Sequence, residues 1–256
     1  MKAGLNLYSI RNLIQTEEDF LQTAKKLKEM GYSYMQFSGA PFDAEKIKRV
    51  SEASGLPVVL THVHYTRIVE ETEKLMEEHA VFGCKNIGLG MMPMDLMIDE
   101  ERCKEAVSKL NEAGKKMQEK GFKFFYHHHH YEFIKHNGQT VFDYIVENAP
   151  YINFTIDTYW LQYAGRDILA TLDRLKGRYS CVHLKDYQIF INADKNNSIE
   201  PTFAPVGDGE IDFKAVTNKM KEYGVEYYLV EQDNAATLSD TLNQVERSIK
   251  YITKEL

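Results

Sequence analysis

The sequence predicts a closed (β/α)8 barrel, and three observations carry that prediction. Six times an amphipathic stretch runs into a glycine and then a short β-prone run. Two further strand candidates bring the count to eight across 256 residues. No two successive strand candidates are joined by a hairpin turn, and strict alternation of helix and strand implies parallel strands with right-handed crossovers. The competing architecture, a doubly wound open sheet, usually carries a Gly-rich phosphate loop after its first strand, and "NLYSIRNL" has none.

The elements follow in order. "GLNLYSI" supplies the first strand, and the junctions "EMGYSYMQF", "EASGLPVVLTHV", "VFGCKNIGLG" and "EKGFKFFYHH" supply the next four. "INFTIDTYW", after Pro150, is the sixth; "RLKGRYSCVHL" and "KEYGVEYYLVE" give the last two. At these junctions Gly31, Gly55, Gly83, Gly121, Gly177 and Gly224 are placed to end a helix in the left-handed conformation. The preceding stretches have helical spacing: Phe20, Leu21, Ala24, Leu27 and Met30 share one face, as do Ala106, Val107, Leu110, Ala113 and Met117. No linker or low-complexity tract divides the chain, so residues 1–256 read as one domain.

Composition narrows the function. A hydrophobic content of 43% and a charged content of 27% are those of a soluble globular protein. A formal charge of −7 argues against nucleic-acid partners, which demand clustered cationic charge. Cys84, Cys103 and Cys181 form neither a disulfide framework nor a metal-type spacing, and no apolar run is long enough for a signal peptide or a membrane span. The expectation is a cytoplasmic protein.

In such a barrel the chemistry belongs at the C-terminal ends of the strands. Those ends are polar here: Asn6 and Arg11 after strand 1, His62 and His64 in "THVH", the run "HHHHYE", Asp157 and Trp160 in "IDTYW", His183 and Lys185 in "VHLKD", and Glu231 in "LVEQD". Taken singly, Asp157 could be a helix cap, His183 a packing residue and Glu231 a solvated loop charge. A barrel, however, brings every strand end to one rim, where carboxylates and imidazoles converge and a cation is the usual remedy. A mixed carboxylate and imidazole shell suits Mn²⁺, Zn²⁺, Co²⁺ or Fe²⁺.

"YHHHHYEF", "IDTYWLQYAG", "VHLKD", "PVGDGEIDF" and "LVEQD" together resemble the sugar phosphate isomerase/epimerase family of xylose-isomerase-like barrels, over essentially the whole chain. The resemblance implies one divalent metal per chain, Mn²⁺ first with Zn²⁺ or Co²⁺ as alternatives. In the ketose 3-epimerase branch it is held by a Glu on strand 5, an Asp on strand 6, a His on strand 7 and a Glu on strand 8. The last three map onto Asp157, His183 and Glu231. The first falls on Tyr126, and the nearest glutamate is Glu132.

The histidine run is therefore expected to form a wall of the site. If the extended strand continues, Tyr126, His128, His130 and Glu132 share one face, and His127 and His129 pack outward under a helix. Glu132 is then the replacement ligand, with one of the histidines as the alternative. Glu132 and Glu231 become the proton-transfer pair, while Asn6, His62, His128, His130, Trp160 and Lys185 contact substrate. The resemblance implies a metal-dependent isomerase or epimerase acting on a sugar, keto-sugar or cyclitol through an enediolate. An inosose-type dehydratase and a degenerate sugar-binding barrel are the alternatives. A homo-oligomer is compatible with this reading; nucleic-acid and membrane partners are not expected.

Overall fold

A computed structural model describes residues 1–256. Eight parallel strands close a barrel: β1 (Gly4–Asn6), β2 (Tyr34–Phe37), β3 (Val58–Val63), β4 (Asn86–Leu89), β5 (Lys123–His127), β6 (Asn153–Asp157), β7 (Cys181–Leu184) and β8 (Tyr227–Val230). Each strand pairs in parallel with its sequence neighbours, and β1 closes the ring against β8. All eight expected strands are present.

The helix ends obey the glycine rule. All six junction glycines have positive φ, from 67° at Gly55 to 106° at Gly31. Gly31 shows the reason: in the left-handed conformation its N–H caps the carbonyls that end helix Glu17–Met30, a turn costly for any residue with a Cβ. On that helix Phe20, Ala24 and Leu27 are buried and Leu21 and Met30 half-buried. On helix Glu100–Glu119 all five expected apolar residues are buried.

No two adjacent barrel strands are joined by a hairpin, as expected, but two hairpins not singled out from sequence lie outside the barrel. Asp186–Asn192 pairs antiparallel with Ser198–Ala204, and a shorter one joins Lys135–His136 to Gln139–Thr140. The long arm turns through Asn196 and Asn197, both at positive φ, which asparagine tolerates better than other residues with side chains. Asp186 ties the base of the arm to "PVGDGEIDF": its Oδ2 accepts the N–H groups of Gly207 and Gly209, and its Oδ1 those of Tyr187 and Ile211.

The barrel interior changes character along its axis. Its apolar floor includes Tyr34, Leu60, Phe125, Cys181 and Leu229. One period of two further along these strands come Gln36, His62, His127, His183 and Glu231. The larger apolar core lies outside the strands, against the helices. Gly88 makes room for this arrangement, because a Cβ there would meet the Thr61 carbonyl oxygen at 2.5 Å and the His62 ring at 3.1 Å. Gly88→Ala is therefore expected to cost about 1–3 kcal/mol through overpacking, read as a lower denaturant midpoint; an unchanged midpoint would mean β3 and β4 relax freely.

Candidate metal centre

Four side chains from four adjacent strand ends meet at one point. His127, Asp157, His183 and Glu231 are all buried, and each offers one ligand atom within 4.8 Å of every other. The register sets this up: Asp157 lies beside His183 across β6 and β7, His127 ends β5, and Glu231 follows the last residue of β8. Glu231 N–H donates to the Leu184 carbonyl, fixing where its side chain leaves the rim.

The second polar atom of each group is already engaged. His127 Nδ1 faces the Gly90 carbonyl oxygen at 3.1 Å, and His183 Nε2 faces Gln36 Oε1 at 2.7 Å. Both partners are acceptors, so each imidazole places its N–H there and turns a lone pair to the centre. Asp157 Oδ1 caps the next helix through the Trp160 N–H, while its Oδ2 points to the centre. Glu231 Oε1 accepts from Asn6 Nδ2 at 2.6 Å, leaving Oε2. The helix-capping and ligand readings of Asp157 are thus compatible, one oxygen serving each.

The free atoms crowd together. His183 Nδ1 is 3.1 Å from His127 Nε2 and 2.8 Å from Glu231 Oε2, and His127 Nε2 is 3.3 Å from Asp157 Oδ2. Two imidazole lone pairs and two carboxylate oxygens repel unless a cation lies among them. This nitrogen and oxygen donor set fits a divalent transition ion. Without an ion a proton plays that part: burial opposes it, but Glu231 and Asp157 prevail and raise His183 to about 9. Burial likewise opposes the Glu231 carboxylate, yet Lys185 and His183 hold it well below the usual range.

Lys185 is the resident cation, 1% exposed. Its Nζ lies 2.7 Å from Asp233, 3.3 Å from Glu231 and 3.8 Å from Asp157. Trp160 and Phe203 box it in, their ring centres 4.9 and 5.1 Å away. A cavity of about 850 Å³ opens outward from this floor. His62, His127, His129, Lys185, Glu231 and Asp233 line its inner end, and Tyr8, Phe42, Arg67 and Met91 its wall.

The expected faces of the histidine run are reversed. Phe125 belongs to the barrel interior, so the period of two turns His127 inward and His128 outward. His128 packs edge-on against Phe142, and its Nε2 accepts the Asp157 N–H; burial lowers its pKa to about 3. The strand ends at His127, so the alternation could not be extended to Glu132. Glu132 lies instead in the short 3-10 turn Tyr131–Phe133, where it is fully buried. Its oxygens accept from the Tyr126 hydroxyl at 2.9 Å and the His129 N–H at 2.7 Å. It neither joins the donor cluster nor lines the cavity, so His127 occupies the place expected for Glu132.

The other expected contact residues fall at different depths. His62 lines the cavity, and its buried Nε2 has no partner. His130 packs beside Trp160 and Tyr163, and both it and Trp160 lie behind the cavity lining. Asn6 acts through Glu231. His129, expected outward, lines the cavity with its Nδ1 2.7 Å from the Tyr131 hydroxyl. Gln36 and Asp233 were not singled out from sequence; their signal is parity, each lying two residues after an inward side chain, Tyr34 and Glu231.

Comparison with known proteins agrees with the barrel fold. A family model described as xylose isomerase-like TIM barrel matches residues 24–255. An inosose dehydratase of Clostridium perfringens (strain 13 / Type A) is 28% identical over 261 aligned positions, covering 90% of this chain and 85% of its own. A sugar phosphate isomerase/epimerase from Parabacteroides distasonis superposes with a TM-score of 0.82 at 19% identity, over 99% of this chain and 94% of its own. The structure of an L-ribulose 3-epimerase gives a TM-score of 0.71 at 13% identity, over 99% and 94%.

Two outcomes follow from this geometry. Metal uptake must displace the His183 proton, so Mn²⁺ affinity should rise with pH up to about 9. Calorimetry in buffers of different ionisation enthalpy reads the released proton, and the Asp157→Ala, His183→Ala double variant should bind no ion. Equal binding by both proteins would exclude this centre.

The second concerns Glu132, which burial raises from 4.5 to about 7, with the His129 and Tyr126 hydrogen bonds opposing. Its contribution to stability is fully present below about 4.5 and is lost as pH rises through about 7, a change on the order of 3 kcal/mol. Denaturant unfolding of metal-free protein should show native stability falling across that window relative to Glu132→Gln. Parallel curves would place Glu132 in a wetter environment.

Proposed function

Because the chain belongs to the xylose isomerase-like TIM barrel family, we propose that it is a divalent-metal-dependent enzyme acting on an uncharged keto-polyol. Its favoured reaction is dehydration of a keto-cyclitol of the inosose type. The carrying observation is the converging set of His127, Asp157, His183 and Glu231, each with its second polar atom held by a neighbour. A divalent ion held by these four would supply Lewis-acid polarisation of a substrate carbonyl, which acidifies the adjacent C–H.

The cavity supports an uncharged substrate. Its two long cations are already paired, Lys185 with Asp233 and Arg67 with Glu71 and Glu78. Neither is left free for a phosphate. The unpartnered Nε2 of His62, a residue of the cavity lining, suits a hydroxyl of a polyol.

His129 is the proton carrier in this reading. The Tyr131 hydroxyl holds its Nδ1, which orients the ring, and Nε2 has no protein partner. Burial, reinforced by His127 and Lys185, lowers the imidazole pKa and keeps the ring neutral, so a proton it takes is passed on rather than held. Nε2 takes the proton beside the substrate carbonyl and delivers it to the hydroxyl on the next carbon. That hydroxyl leaves as water, and the enol of a dicarbonyl compound remains. Lys185 stabilises the negative charge that develops on oxygen. Glu231, expected from sequence to move protons, has both oxygens engaged, Oε1 by Asn6 and Oε2 by His183 and Lys185, and suits a ligand better than a base.

Dehydration is favoured because a relative that aligns over 90% of the chain is named for it. Two-sided proton return also needs a second base, and Glu132 lies off the cavity. Isomerisation or epimerisation is the second reading, favoured by the structural neighbours. Incubating the Mn²⁺-loaded protein with inososes and ketoses in D₂O separates the two by NMR and mass. Dehydration gives a product lighter by one water; epimerisation gives an isomer carrying deuterium. His129→Gln should keep the metal and lose roughly 10²–10⁴-fold in turnover. Native turnover in that variant would return the role to Glu231, and neither product from any substrate would leave a binding protein.

A further inference from the structure

The geometry points to Asp233 as a positioning residue that holds the Lys185 ammonium off the metal donors, so that the ion and the lysine do not compete for them. This rests on the reading of a metal centre given above. Lys185 Nζ lies 3.3 Å from Glu231 Oε2 and 3.8 Å from Asp157 Oδ2, the two carboxylate oxygens assigned to the ion. A buried cation at that distance is a rival for both. Its shortest contact is the 2.7 Å pair with Asp233 Oδ1, at the cavity side.

Asp233 is itself anchored. Arg11 Nη1 donates to its carbonyl oxygen at 3.0 Å and to the Tyr8 carbonyl oxygen at 2.8 Å. The preceding residue is fixed by a bond from the Gln232 N–H to Ser9 Oγ at 2.9 Å, and the next by Asn234 Nδ2 to the Phe203 carbonyl. The carboxylate thus sits on a pinned loop. Trp160 and Phe203 also confine the ammonium, so the acidic groups are what divide its position. Removing Asp233 leaves Glu231 and Asp157 as its only close anions, and there it opposes the incoming ion.

The test is a double-mutant cycle read by Mn²⁺ binding isotherms of the full chain. Asp233→Asn should weaken Mn²⁺ binding on the order of 10–100-fold, the range typical of groups supporting metal ligands. Lys185→Met in that background should restore most of the loss, whereas Lys185→Met alone should change affinity far less. That non-additivity distinguishes positioning from simple charge counting, in which Lys185→Met would strengthen binding equally in both backgrounds. Asp233→Glu, which keeps an anion within reach of the ammonium, should retain affinity and covers the case in which Asp233→Asn does not fold. Additive effects, or equal loss in the Glu and Asn variants, would overturn the role. No Mn²⁺ binding by the native chain would instead overturn the metal centre.

Discussion

Two imidazole nitrogens, His127 Nε2 and His183 Nδ1, face each other at 3.1 Å with a carboxylate oxygen beside each. That crowding is the constraint around which the rim is organised. Left alone it would repel, and a proton or a metal ion resolves it. The groups behind the cluster suit a metal ion as the resolution: Gly90, Gln36, Asn6 and the Trp160 N–H each occupy the far atom of one potential donor group. None of these contacts depends on a loop far from the barrel. The scaffold fixes the donors first and the chemistry afterwards.

The same economy runs through the rest of the rim. Asp157 serves one helix with one oxygen and the centre with the other. The outward His128 receives the Asp157 N–H and so braces β6 from behind. His129, one residue later, turns back to the cavity because the strand has ended and Glu132 holds its N–H. A run of four identical residues therefore does three different jobs, since backbone geometry changes under it.

Most of the fold was legible because its signals are local. Glycine helix stops and amphipathic spacing gave six of the eight strands, the β-prone runs at the start and after Pro150 gave the other two, and the polar strand ends gave Asp157, His183, Lys185 and Glu231. The histidine run was misread for a physical reason. "FKFFYHHHH" is apolar or aromatic on both faces, so hydrophobicity could not tell inside from outside, and Phe125 gave parity only once the barrel floor was known. Glu132 was misplaced because period-two alternation was carried past the end of β5. The long hairpin had a visible signal, the β-prone run "YQIFIN" and the pair Asn196–Asn197, but it was hidden inside a barrel template.

The grip of Asp186 on "PVGDGEIDF" has a consequence for how this barrel can diverge. Asp186 pairs with Ala204 at the foot of the arm, and its carboxylate holds Gly207, Gly209 and Ile211 just beyond the return strand. Both feet of the hairpin are thereby knotted beside Lys185, independently of the arm between them. Ile189, Ile191 and Ile199 on that arm are 53%, 65% and 73% exposed and outside the cavity lining. Length and sequence of the outer arm, from Gln188 to Thr202, are consequently free to drift, while Phe203 at its foot stays against the lysine and keeps it at its address.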